Sequence, residues 1–242
     1  MNLRNILILG GFALAVLSGL ALAVSGPGSR FELWNFRVGF ALLKWALFGG
    51  LLSGALCLAG GAEALRQHKP EGLWLAAAGL LIGLAIAAIP LSARRAAGRV
   101  PPINDITTDT QDPPRFLAVL PLRAGATSPA DYGGAELAAQ QLQAYPGLKP
   151  LTTAFPPAAA FERALLISKR SGWKIIAAEQ AQGRIEAVDT TFWFGFKDDI
   201  VIRIRPEGAG SRLDIRSHSR VGKSDLGANA GRIMKFLAAF RE

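Results

Sequence analysis

Three long apolar runs occupy the first hundred residues, and the pattern then changes to short periodic segments. Residues 6–24, 39–61 and 72–91 each approach the ~20 residues that a helix needs to cross a bilayer core, and predict three transmembrane helices in a membrane region of residues 1–100. The first run follows the charged start MNLRN and offers Ala21-Leu22-Ala23 as a cleavage signature. Two further runs favour a retained helix over a signal peptide. Gly26, Pro27 and Gly28 are expected to break the first helix, and Pro90 to end the third.

The boundary to a soluble domain, residues 101–242, is placed at Pro101. VPPINDITTDTQDPPRF is polar and proline-rich, suited to an extended segment lying along a surface. Helices are expected over residues 135–144 and 156–172, the second with a core face of Ala160, Phe161, Ala164, Leu165 and Ser168. WKIIAAE and GRIEAVDTTFWF flank a hairpin turn at Gln180-Ala181-Gln182-Gly183. In DIVIRIR, Ile200, Ile202 and Ile204 alternate with Val201, Arg203 and Arg205. In SRLDIRSHS, Leu213 and Ile215 alternate with Arg212, Asp214, Arg216 and His218. Such alternation predicts antiparallel strands with one face buried. A last helix from about Asp225 presents Leu226, Ala230, Ile233, Leu237 and Phe240 as a stripe, capped by Ser224 or Asp225. The fold class is α+β: an antiparallel β-meander covered by helices, preceded by three transmembrane helices.

Charge changes this picture only in part. The 242 residues carry a formal charge of +9, of which +6 falls in residues 1–100 and +3 in residues 101–242. The excess therefore sits mainly between membrane segments, where it helps to set orientation. A soluble part with modest charge and no nucleic-acid motif argues against a nucleic-acid partner. Arg30 and Arg37, with Arg94, Arg95 and Arg99, fall on one side of the bilayer and place it in the cytoplasm, whereas Arg4 before a signal-like helix argues the reverse. Lys44, just inside the second run, is read as snorkelling to the interface. The single cysteine, Cys57, excludes an intramolecular disulfide, and His68 and His218 lie in different regions, so no metal or cofactor is expected. Asp105, Asp109 and Asp112 imitate calcium-loop spacing but lack the glycine and distal glutamate of an EF-hand.

Candidate chemistry gathers after Thr191. Arg203, Arg205, Arg212, Arg216 and His218 project from one face of neighbouring strands, with Asp214 and Glu186 among them. Arginines so placed can fork a carboxylate or phosphate, or simply form cross-strand pairs on a solvated face. Trp193, Phe194 and Phe196 flank Gly195 beside Lys197, Asp198 and Asp199. Ser217, His218, Ser219 and Asp225 have the residue types of a hydrolytic triad, but His218 must point away from both serines and no G-x-S-x-G elbow is present. Gly222-Lys223-Ser224 lacks the earlier glycine of a phosphate loop. The ligand-binding candidates are Arg203, Arg216, His218, Arg220, Asn229, Trp193 and Lys197; Ser224, Asp225, Gly222 and Gly227 form a structural corner.

VPPINDITTDTQDPP, AYPGLKPL, Gly172-Trp173, WFGFKDDIVIRI and SRVGKSDLGANAGRI, in this order, resemble the domain of unknown function 1499 family over residues 101–242. RFELWNFRVGFALLKW is similar to the membrane region that accompanies the domain in many bacterial members. The resemblance implies an exported domain and carries no catalytic assignment. It tips the expectation toward an inner-membrane protein with a periplasmic domain, a cytoplasmic domain being the alternative. The expected role is an envelope accessory that binds an anionic or lipid ligand, or a membrane or envelope protein. The alternative is a tethered enzyme acting on an envelope lipid or glycan through Asp198, Asp199 or Asp225.

Overall fold

The computed structural model describes residues 2–242. The described chain divides into two compact units: residues 2–96 with 192–195, and residues 97–191 with 196–242.

The first unit is built from α1 (Leu3–Arg30), α2 (Phe36–Arg66) and α3 (Leu73–Ala97), each long and apolar enough to cross a membrane. They run further than their apolar cores. Pro27 lies inside α1 and Pro90 inside α3, so neither breaks its helix. Each proline removes one N–H donor, a loss that membrane helices tolerate where neighbours re-satisfy the freed carbonyl. Small residues set the packing. Ser53 donates from its hydroxyl to the Gly11 carbonyl at 2.8 Å, and a Cβ on Gly83 would come within 3.1 Å of the Gly54 nitrogen. Arg4 donates to the Lys69 carbonyl at 3.1 Å, tying the start of α1 to the α2–α3 turn. In this unit Trp193 packs over Gly26, the Phe194 ring meets Phe40 edge-on at 5.0 Å, and Arg30 donates to the Phe192 carbonyl at 2.8 Å.

The second unit holds a six-stranded antiparallel sheet. Its strands are β1 (Asp105–Thr107), β2 (Leu151–Thr153), β3 (Lys174–Glu179), β4 (Arg184–Thr190), β5 (Lys197–Glu207) and β6 (Gly210–Ser219). They lie in the order β1-β6-β5-β4-β3, and β2 shares with β1 the free side of β6. The β4 strand stops at Thr190, short of the aromatic run expected to continue it. Gly183 closes the β3–β4 turn at φ +60°, where a side chain would be strained.

One face of the sheet carries the expected core. Ile185, Ile200, Ile202, Ile204, Leu213 and Ile215 pack against α5 (Pro157–Arg170) and α6 (Ala228–Arg241), which contribute Phe161, Ala164, Ile233, Phe236 and Phe240. Trp173 stacks on Phe236 at 5.6 Å. Arg163 of α5 donates to the Phe240 and Ala239 carbonyls, which satisfies the last turn of α6. The α4 helix (Gly134–Ala144) guards an edge. Buried Gln141 donates to the Thr107 carbonyl at 2.6 Å and accepts from its N–H at 2.9 Å, so a side-chain amide stands in for the next strand beside β1.

The other face departs from the expectation of an open sheet. Phe116 and Val119 pack on Val188 and Val201, and residues 108–132 cover the strands as an irregular strap. Every residue of β6 except Arg212 is buried. Leu226 departs too: it is 51% exposed, because α6 begins only at Ala228 and Leu226 turns outward at φ +57°.

Candidate functional site

The strap is fastened by ion pairs. Arg216 is 2% exposed and forks Asp105 of β1 through Nε at 2.8 Å and Nη2 at 2.7 Å. Its guanidinium lies 4.7 Å from the Phe116 ring centroid and 5.5 Å from that of Tyr132, and Nη2 donates to the Ala130 carbonyl at 2.9 Å. Arg203 meets Asp109, Asp112 and Asp214, while Arg212 bonds Asp109 at 2.7 Å and Asp214 at 3.0 Å. Arg205 reaches Asp112 and Asp214. Asp199 takes Arg123 from the strap at 2.6 Å and Arg220 at 2.7 Å. Glu186, fully buried, accepts from the N–H groups of Leu117 and Val119, each at 2.9 Å. A carboxylate there satisfies donors at the entry to the tight turn Leu120–Arg123.

The arginines expected to await an anion are therefore already engaged. Arg203, Arg216 and Arg220 each hold carboxylates of this same chain; the cross-strand pairs of the alternative do form, Arg203 and Arg205 with Asp214, and the strap adds Asp109 and Asp112 to them, leaving Arg205 and Asp112 partly exposed. The acids missed as partners were Asp105, Asp109 and Asp112. Their spacing was the available signal: acids in a segment expected to lie along a surface can answer arginines pointing outward from the sheet.

His218 is 3% exposed, with Nδ1 3.7 Å from Asp105 Oδ2 and without a hydrogen bond. Burial lowers its pKa from 6.5 to about 4; Asp105 opposes that shift, and Arg123 and Arg216 reinforce it. The ring is thus neutral at pH 7. Tyr132 is pushed up to about 12 by burial, then by Asp105, and its Oη is buried without a partner. Five buried side-chain polar atoms lack hydrogen-bond partners among the described residues, and four of them belong to this covered face: Arg123 Nε, Tyr132 Oη, His218 Nδ1, and Arg184 Nε, which still lies 3.4 Å from Glu186 Oε1 as an ion pair. Buried orphans are rare in proteins, and they mark places where water or a ligand completes the bonding.

Cavities open beside two of them, Tyr132 and His218. One of about 420 Å³ is lined by Arg115, Phe116, Leu117, Leu120, Tyr132 and Arg216 among others. A second, of about 430 Å³, is bounded by Asn104, Asp105, Ser128, Glu136, His218 and Lys223 among others. Asp131 lines both.

The remaining candidates sit elsewhere. Asn229 is a clamp on the helix-covered face: its Oδ1 accepts from Ser217 at 2.7 Å, and its Nδ2 donates to Asn104 and Ser219. Beside it Arg232, overlooked in the sequence, bridges Asp189 and Asp198, each at 2.7 Å, and also donates to Asn229 Oδ1. Asp225 caps α6, accepting from Gly227 at 2.8 Å and Asn229 at 2.6 Å, while Ser224 Oγ accepts only from Leu226. Burial raises the Asp225 pKa against those bonds. Gly222 and Gly227 both take positive φ in this corner, +87° and +83°. Lys197 is exposed, and Trp193 belongs to the helical unit, so neither joins the strap-covered face. Asp198 and Asp199 are held in ion pairs, and Asp225 caps a helix. Among the described residues no set of three or more His, Cys, Asp or Glu side chains is placed to hold a metal ion.

Fold and site together define a helical unit of membrane-spanning character joined to a strapped antiparallel α+β domain. The chain belongs to the family described as Protein of unknown function (DUF1499), whose model matches residues 105–240. A comparison with curated proteins found no match.

Proposed function

We propose that this protein is a membrane-anchored accessory of the cell envelope, held in the inner membrane with its domain on the periplasmic side. The domain captures a small ligand, anionic or lipid-like, and presents it to a neighbouring membrane or envelope protein rather than transforming it. The observation that carries this reading is that two orphaned polar side chains, Tyr132 and His218, each line a cavity of ligand size on the strap-covered face. Ion pairs make the face rigid, and the orphans give it unspent bonding capacity. The carboxylates an enzyme would use are committed to arginines or to a helix terminus, which favours binding over turnover. The exported character that the resemblance implies supports the periplasmic side, against the arginine count.

Hydrogen exchange of residues 108–132 tests the capture reading. Exchange is expected to be slower in native membranes than in the purified full-length protein in phosphatidylcholine nanodiscs. Equal exchange in both would overturn ligand capture. Reporter fusions after Glu242 test the placement: a reporter active only outside the cytoplasm is expected, and one active only inside would overturn the envelope role.

A further inference from the structure

We propose that the cavity between Arg115 and Tyr132 binds a single-chain carboxylate amphiphile, its head at Tyr132, Arg216 and Arg115 and its chain along Leu117 and Leu120. This inference rests on the capture reading above and names the ligand class.

The walls divide by chemistry. At the base, Tyr132 Oη has no hydrogen-bond partner, and the Arg216 guanidinium is fixed beside the Phe116 and Tyr132 rings by its fork to Asp105. That fork neutralises most of the Arg216 charge, and with Nη1 on the Pro114 carbonyl and Nη2 also on that of Ala130 the guanidinium keeps one N–H, so the base offers that donor and the Tyr132 hydroxyl rather than net positive charge. The phenol stays protonated at neutral pH and can donate to an oxyanion. Arg115 is exposed at the rim and forms no ion pair with any described residue. It is the cation left to balance an incoming charge.

Two further features narrow the class. Leu117 and Leu120 are 49% and 42% exposed although both line the cavity, and they continue its apolar side outward from Phe116. An apolar chain laid there would cover surface that folding leaves wet, which favours binding. Against this, Asp131 also lines the cavity, and Asp112 is there bound to Arg203 and Arg205. With one unpaired cation and one unpaired carboxylate at the rim, a single negative charge is tolerated and a phosphate dianion is disfavoured. A cavity of about 420 Å³ lies within the range of small-molecule sites.

The test uses full-length protein in phosphatidylcholine nanodiscs and a diazirine-bearing decanoate, with adducts mapped by mass spectrometry. Adducts are expected on residues 113–120 and 130–132. Excess decanoate should suppress them, while decanol, which lacks the charge, and acetate, which lacks the chain, should not. Arg115→Gln and Tyr132→Phe should each weaken decanoate competition about tenfold, as loss of a charge-assisted bond implies, with the thermal midpoint unchanged. Decanol competing as well as decanoate would overturn the role of the carboxylate, and acetate competing as well would overturn that of the chain. Adducts confined to other segments, or unchanged competition in both variants, would overturn the site. If the decanoate probe fails while strap exchange is still slower in native membranes, the ligand class falls and the capture reading stands.

Discussion

The two faces of the sheet are built on different principles. Toward α5 and α6, isoleucines and leucines meet phenylalanines, and the contact is non-directional burial. Toward the strap, Val188 and Val201 supply only a small apolar centre, surrounded by forked arginines and capped carboxylates. Burial alone tolerates substitution by volume, whereas a buried charge must keep its partner. One face holds the domain together, and the other fixes where the strap lies.

Breaking an ion pair on the strap side should cost most. Asp199→Ala leaves Arg123 and Arg220 facing each other without their carboxylate, a loss of roughly 3–5 kcal/mol. It is checked by denaturation of the full-length protein. Replacing the Arg216–Asp105 pair outright by Met and Leu should cost much less than Arg216→Ala alone, because no charge is then stranded. A double variant as damaged as the single one would show that the pair is needed for more than mutual neutralisation.

On the helix side, Ile233→Ala should destabilise by about 3 kcal/mol through cavity formation. Its strap should keep wild-type hydrogen exchange relative to the rest of the domain. Preferential loosening of residues 108–132 would mean that the two faces are coupled.

A third, smaller effect depends on pH. The folded pKa of His218 lies below its unfolded value of 6.5, so between about 6.5 and 4 the unfolded chain binds the extra proton. Stability from this group is therefore complete at neutral pH and declines as pH falls through that window, by about 2 kcal/mol on reaching pH 5. Denaturation midpoints measured from pH 7 to 5 should fall in the wild type and fall less in His218→Gln. Parallel curves would remove His218 as the source. The smallest effect belongs to Leu226→Ser, expected within about 0.5 kcal/mol because the side chain is exposed.

The contrast between the faces also explains what was legible in the sequence. Ile200, Ile202, Ile204, Leu213 and Ile215 alternate with polar residues, and an apolar side of a strand has one reading: inward. Ile233, Leu237 and Phe240 show it at helical spacing. Arg203, Arg212 and Arg216 were placed on the correct face, but alternation says only which side a residue takes and not whether that side meets water. Whether it does depended on residues 108–132, whose prolines and aspartates carry no period. Gln141 was invisible for a related reason, since one of three glutamines in a helix gives no sign that it will bond the edge of a distant strand. Leu226 failed in reverse: it fits the stripe in phase but precedes the helix.

The place of β6 has a consequence for synthesis. This strand, near the end of the chain, pairs on one side with β5 and on the other with both β1 and β2. The Arg216–Asp105 fork alone spans 111 positions. A ribosome that has made everything up to Glu207 has therefore made a β1 and a β2 with no strand to pair with, although the strap can already meet Glu186, Asp199 and Arg203 on β4 and β5. Arg212 and Arg216 of β6 emerge only afterwards, and α6 follows last. Such long-range pairing slows folding, and until it is complete the nascent domain exposes strand edges of the kind chaperones recognise. A chain truncated before Gly210 should keep helices able to enter a membrane and yet carry a domain open to proteolysis.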